Sequence, residues 1–361
     1  MSKIMTVLGE IKPEDLRFTS MHEHIMMRGG MIRKRYEDKI PANVKVKEDD
    51  PVKLDNIGLL KRNFILSLDG LRLDDEETMM QEVYDFKESG GASMLELSAI
   101  GLRCNLPAIK RISQKTGVNV IAATGFYTED SWPLEYRNLT IDNYKEIMLK
   151  EINFGIEDTG IKPGHIKIGI STFSKQEENT LRAAGRVAKE TGLSITVHPS
   201  SKIGGNSVNI AKILLEEGVK PDRIVIAHVS ATFAPSDLKM LVLNPESWKP
   251  NLDTAKSLLN LGVNITVDFL GNSLDIEFIG DVGPTDWQKL AGLVALLKDG
   301  YAEHIVLGTD LCAKIMTRRF GGEGYCRLTN FAIPTLRDLL GVSEYAIRQM
   351  TIKNPARILA Y

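Results

Sequence analysis

Residues 165–230 read HIKIGIST (165–172), QEENTLRAAGRVAKETG (176–192), SITVHPS (194–200), SVNIAKILLEEGV (207–219) and RIVIAHVS (223–230), with short connections between them. Three short β-branched or apolar runs alternate with two amphipathic stretches of helical period. Gly192 and Gly218 stand at or just past the last helical turn, where a left-handed cap is expected. Strands that alternate with helices predict a parallel sheet covered by helices.

The same unit recurs outward in both directions. FTSMHEHIMM (18–27), SMLELSAI (93–100) and NVIAATGFY (119–127) precede the stretch, and NITVDFLG (264–271) and HIVLGTD (304–310) follow it. Eight units predict an α/β fold of the closed (β/α)8 TIM-barrel kind. The chain of 361 residues is then one domain, 1–361. Its excess over a plain barrel of about 250 residues falls in the connections 28–78 and 311–330. Both follow strands, so both are expected over the C-terminal mouth, where barrel enzymes build their sites.

Composition narrows the function classes. With 45 Lys+Arg against 47 Asp+Glu the formal charge is −2, so no basic footprint for nucleic acid exists. MSKIMTVLGE has no apolar signal-peptide core, and LAGLVALL (290–297) is far short of the ~20 residues of a membrane span. Cys104, Cys312 and Cys326 are widely spaced and contain no CxxC pair, which fits a reducing cytoplasm.

The polar residues within the strands carry the chemistry. His22 and His24 lie at i, i+2 and face one way. Lys167, His198 and His228 follow one another at intervals of one βα unit and are expected at corresponding heights on neighbouring strands, and Asp310 ends the eighth. A lone histidine on an apolar strand is usually a hydrogen-bonded core residue. Four imidazoles and a carboxylate converging at one mouth suit a divalent ion such as zinc. A free Lys167 would be a salt-bridge partner or a Schiff-base lysine. His165 and His304 start their strands and are expected at the opposite, stabilising end.

At these residues the sequence resembles the phosphotriesterase-like family of the amidohydrolase superfamily, in its phosphotriesterase-related and lactonase branch. The likeness runs from VLGEIKPEDL (7–16) and HEH (22–24) through TGFY (124–127), IKIG (166–169), TVHPS (196–200) and IAHVS (226–230) to GGEGY (321–325) and NPARILA (354–360). It implies a binuclear metal centre of zinc, manganese or cobalt. His22, His24 and Asp310 would hold the buried ion, and His198 and His228 the exposed one. Lys167, carboxylated at Nζ by CO2, would bridge them together with a hydroxide. It also implies a homodimer acting on a small molecule.

The reaction this implies is hydroxide attack on a polarised carbonyl or phosphoryl group, with Asp310 passing the proton to the leaving group. Tyr127 resembles the family's lactonase tyrosine; the other reading is a rim aromatic. Phosphotriesterases proper carry an acidic residue and a histidine where this chain has Ala231 and Phe269, so efficient phosphotriester hydrolysis is not expected. DFLGNSLDIEF (268–278) lacks the cations with which relatives bind phosphorylated sugar lactones. Arg318 and Arg319 could replace them at the substrate, or belong to a solvated face. Lactone opening leads, with a sugar lactone or its phosphorylated form in view. Amide or other ester hydrolysis comes second. A Schiff-base aldolase using Lys167 and a non-catalytic binding barrel are the alternatives outside the class.

Overall fold

The computed structural model describes residues 2–199 and 206–361; Met1, and Ser200 at the end of SITVHPS, lie outside the described residues. Eight parallel strands follow one another in chain order: β1 (Thr19–Glu23), β2 (Ser93–Glu96), β3 (Asn119–Phe126), β4 (His165–Ile170), β5 (Ile195–Pro199), β6 (Ile224–Ile226), β7 (Asn264–Val267) and β8 (Ile305–Leu307). The backbone N–H of Asp310 donates to the His22 carbonyl at 2.9 Å and draws the last strand to the first. Glycine at 308 makes that approach possible, because a Cβ there would lie 2.7 Å from the His22 Cβ. The expected (β/α)8 barrel is the fold.

Among the described residues, the α-helices of eight residues or more that pack around the sheet are α1 (Glu76–Glu88), α2 (Leu106–Thr116), α3 (Ile141–Phe154), α4 (Lys175–Thr191), α5 (Ser207–Glu216), α6 (Asp253–Asn260) and α7 (Asp286–Lys298), and a run of shorter helical segments follows β8. Asp75, Asn105, Thr140, Ser174 and Thr285 cap α1, α2, α3, α4 and α7 through their side chains. The even residues of β4 (Ile166, Ile168, Ile170) pack outward with Leu181, Ala184 and Val187 of α4. The inward residues Met21, Leu95, Ile121, Val225 and Val306 form a plug with Ile4, Leu16 and Ile358. His165 shares that lower end, buried with its ring nitrogens on the Ser194 and Thr196 hydroxyls at 2.9 and 2.7 Å. His304 precedes β8, so both remaining histidines keep the places expected of them.

Two expectations about the strands need correction. The strands after β5 end sooner than the apolar runs, because His228 (φ 58°), Phe269 (φ 56°) and Asp310 (φ 47°) adopt left-handed backbone that no ladder can continue. The heights also differ. His198 pairs with Gly169, while Lys167 pairs with Thr196, two residues lower. At about 3.3 Å per residue the lysine root lies some 6–7 Å below the histidine roots, and its four-carbon stem makes up the difference.

The connection 28–78 does rise over the mouth. A two-residue ladder seals its base, pairing Met27 with Leu73 and Arg28 with Arg72. The connection 311–330 does so only at its start, through Cys312. Further along, its Arg318–Arg319 turn docks on α1. The Arg318 guanidinium pairs with Asp85, its backbone N–H donates to Glu82 at 2.7 Å, and Arg319 donates to the Thr78 hydroxyl at 3.0 Å. Neither arginine lines the cavity described below, so the structure does not bring them to a substrate. A bidentate-capable cation is held by whichever carboxylate its loop reaches first, and here that is Asp85.

Glu82 is buried beneath this loop with one carboxylate oxygen unpartnered. Burial pushes its carboxyl up to about 7, only partly offset by the N–H groups of Arg318 and Arg319. The folded state then binds the proton more tightly than the unfolded chain, so stability falls as pH rises from about 4.5 through 7. Glu82→Gln abolishes this titration. Urea unfolding at several pH values should show the variant gaining up to about 3 kcal/mol on the wild type across that window. A pH-independent difference would count against the assignment.

Candidate metal centre

Five strands bring the ligand candidates to the mouth, His22 and His24 from β1, Lys167 from within β4, and His198, His228 and Asp310 from the ends of β5, β6 and β8, and several are oriented from behind. His22 Nδ1 faces Asp268 Oδ2 at 2.8 Å, which directs Nε2 inward. His24 Nδ1 faces the Ser98 hydroxyl at 2.8 Å, and that hydroxyl donates to Glu96 at 2.6 Å, so His24 Nε2 also points inward. Carboxylate or hydroxyl partners of this kind fix the tautomer in which the inward nitrogen offers its lone pair. Asp268 further accepts from the Thr266 hydroxyl at 2.7 Å and the His228 backbone N–H at 3.1 Å.

The inward atoms then meet. Asp310 Oδ1 lies 3.2 Å from His24 Nε2 and 3.6 Å from His22 Nε2, and Asp310 Oδ2 lies 3.7 Å from His228 Nδ1. His198 Nδ1 and His228 Nε2 face each other at 2.7 Å. Lys167 Nζ reaches His22 Nε2 at 3.2 Å. All six side chains expected at the site are together. His22, His228 and Asp310 form a group whose ligand atoms lie within 4.8 Å of one another and could hold a metal ion.

Charge supports that fit. Asp310 Oδ1 is buried without a hydrogen-bond partner, and His228 Nδ1, which also makes no well-directed hydrogen bond, lies 3.1 Å from Asp268 Oδ2 and 3.7 Å from Asp310 Oδ2. Lone pairs of imidazole and carboxylate aimed at one another repel unless a proton or a cation lies between them. Burial pushes His22 down to about 4 and His198 well below the usual histidine range, which keeps both imidazoles neutral as metal ligation requires. Burial opposes ionisation of Asp310, but His22, His24 and His228 outweigh it and hold the carboxyl well below its ordinary range.

The cluster floors a cavity of about 590 Å³. Met27, Ile32, Phe64, Leu102 and Ile276 give it an apolar wall, and Arg35, Lys39 and Arg137 bring cations. Arg35 is engaged by Asp130 in a two-point pair at 2.5 and 2.7 Å, which ties the first connection to the loop after β3. The Tyr127 hydroxyl lies 3.4 Å from His198 Nε2. Phe269 stacks on His228 at 4.5 Å with 15° between the rings. Both line the cavity.

Sequence reasoning missed the supporting residues. Asp268 was visible as a carboxylate ending an apolar strand, and Glu96 as an acid within SMLELS. Glu23 lies between the two first-strand histidines and accepts from the Thr309 N–H (2.8 Å) and hydroxyl (2.6 Å), which anchors the turn that carries Asp310.

A closed eight-stranded barrel with imidazoles, a carboxylate and a buried lysine at its C-terminal mouth defines a class: barrel hydrolases whose mouth is built for metal. The chain belongs to the Phosphotriesterase family, whose profile matches residues 2–359, and it is an enzyme of the hydrolase kind. It is 28% identical to an N-acetyltaurine hydrolase of Xenopus tropicalis over 99% of this chain and 98% of that one. A resiniferatoxin-binding protein from Rhodobacter sphaeroides superposes with a TM-score of 0.85 at 25% identity, covering 99% of this chain and 94% of that one. The lactonase Lmo2620 from Listeria monocytogenes shares the fold, with a TM-score of 0.76 at 22% identity and 99% of each chain covered. Among the described residues no helix is long and apolar enough to cross a membrane.

Proposed function

We propose that the chain hydrolyses an acyl bond, a lactone or carboxylic ester in the first reading, on a centre of two divalent ions. His22, His24 and Asp310 would hold one ion and His198 and His228 the other, with carboxylated Lys167 shared between them. When bound, such ions supply Lewis acidity and lower the pKa of a water to near neutral.

The chain's own residues supply the rest. Burial raises the Tyr127 phenol well above its ordinary range, so at neutral pH it is an O–H donor beside His198 and can orient a substrate carbonyl. Asp310, ionised and facing the imidazole cluster, takes the attacking water's proton and hands it to the leaving alkoxide. Asp268 and the Ser98–Glu96 pair keep the imidazoles in register through the cycle. The apolar wall excludes water from the reacting group.

The observation that carries the acyl reading is Tyr127 at His198, opposite a ring, Phe269, that neither donates nor accepts a proton. A planar carbonyl is served by one donor. A phosphotriester would call on an acid at position 231 or a base at 269, and Ala231 and Phe269 provide neither. A second reading, hydrolysis of an N-acyl amine with an anionic tail, is favoured by the relatives named N-acetyltaurine hydrolase and by Arg137 and Lys39 in the cavity wall.

Turnover of γ- and δ-lactones, aryl esters, N-acetylated aminosulfonates and a phosphotriester by the Zn²⁺, Mn²⁺ and Co²⁺ enzymes separates these readings. The lactones should lead the triester by at least about 100-fold in kcat/KM. An amide preference would install the second reading, and a triester preference would remove both.

A further inference from the structure

Lys289, on α7, is a buried cation that the proposed chemistry leaves unused. Its side chain is 1% exposed. An ammonium has three N–H donors, and this one meets three acceptors: the Phe269 carbonyl, the Asn272 carbonyl at 2.7 Å and Asp286 Oδ1 at 3.4 Å. Burial lowers its pKa, with Asp286 beside it working the other way. The other inner positions of α7 are apolar, at Leu290, Leu293 and Leu296. A cation in that row is costly unless its contacts are needed.

Those contacts all hold the turn after β7. Asp286 accepts the Gly271 N–H with both oxygens, at 3.1 and 3.0 Å, and is itself fixed by Arg327 at 2.8 and 2.7 Å. Gly271 (φ +95°) lies flat on Arg327, since a Cβ there would come 2.9 Å from Arg327 Cγ. Phe269 is left-handed at φ 56°, a conformation that a bulky residue keeps only when its surroundings impose it. Its own carbonyl is the one Lys289 grips. Its ring then lies parallel to His228 and forms part of the cavity wall.

We propose that Lys289 is a positioning residue: through the carbonyls of the turn it holds Phe269 against His228, and so sets the plane of that imidazole and the cavity beside it. The inference rests on the proposed function only where His228 serves as a metal ligand. Its test therefore reads both the turn itself and Co²⁺ binding.

Five proteins are compared: wild type, Lys289→Gln, Phe269→Ala, the double variant and, as the conservative control, Lys289→Arg. Amide hydrogen exchange over residues 268–274 should speed up by about tenfold or more in Lys289→Gln and return toward wild type in Lys289→Arg. Co²⁺ titration, followed by visible absorption, should show Lys289→Gln and Phe269→Ala each weakening binding, with the double variant no weaker than Phe269→Ala alone. That non-additivity is what a residue acting through Phe269 produces, and a general loss of stability would not. Wild-type exchange in Lys289→Gln, or additive losses of Co²⁺ affinity, would overturn the proposal. Should Lys289→Gln not fold, exchange in Lys289→Arg against Phe269→Ala decides it. If the wild type takes up no Co²⁺, the metal reading fails, while the exchange comparison still judges Lys289.

Discussion

Asp310→Asn is expected to fold normally and to lose about 10³-fold or more in kcat. The carboxylate sits where three imidazoles converge, at 3.2 Å from His24, 3.6 Å from His22 and 3.7 Å from His228. Its two carboxylate oxygens face both halves of the cluster, Oδ1 toward His22 and His24 and Oδ2 toward His228. Asparagine keeps the volume and the backbone bond to His22 but offers neither a negative charge nor a proton-accepting oxygen of comparable basicity. On the proposed centre two functions would be lost together, binding of the buried ion and acceptance of the proton. Thermal unfolding should shift far less than activity, because the Asp310 N–H bond that joins the strands is untouched. Turnover within a few-fold of wild type would refute the role of Asp310, whatever the metal content.

Lys167→Met should cost about 100-fold in activity and lower bound metal from two equivalents towards one. Lys167 is 1% exposed, and among the described residues no carboxylate lies within ion-pair distance of its Nζ. Burial pushes its amine down to about 8, against the pull of Asp310, Asp268 and Glu96. With its pKa lowered in this way, a larger share of Lys167 is free amine near neutral pH than of an exposed lysine, and the free amine is the form that reacts with CO2. The carbamate would turn an uncompensated cation into a two-oxygen anion, the charge a cluster of neutral imidazoles lacks. Metal uptake by the wild type should therefore rise with bicarbonate, and native mass spectrometry should show the added CO2. Two equivalents bound by Lys167→Met, or borohydride trapping of a carbonyl substrate on Lys167, would replace the carbamate with a structural or Schiff-base lysine.

The site was legible to different depths in the sequence. His22, His24, Lys167, His198, His228 and Asp310 could be read because each interrupts an apolar strand, where a polar side chain needs a reason. Their relative heights could not be read from spacing alone. Equal βα intervals suggested equal heights, yet the register sets Lys167 opposite Thr196 and His198 opposite Gly169. Interval counts include loops, and loop length does not fix register. Arg318 and Arg319 looked available for the same reason: sequence placed their loop after β8 but did not show that Asp85 and Thr78 stand beneath it.

Local pattern alone determined the eight strand–helix units, the barrel they close into and the polar residues that end the strands, because period, caps and burial act over a few neighbours. Tertiary structure alone decided what those residues can do. Asp268 orients His22 across 246 positions of chain, and Tyr325 donates to the His24 carbonyl across 301. Lys289 reaches back to the turn of Phe269, and burial moves His22 and Lys167 away from their ordinary protonation. Hydrogen bonds and desolvation depend on which groups meet in space and how much water remains between them, and that is settled only when the barrel closes.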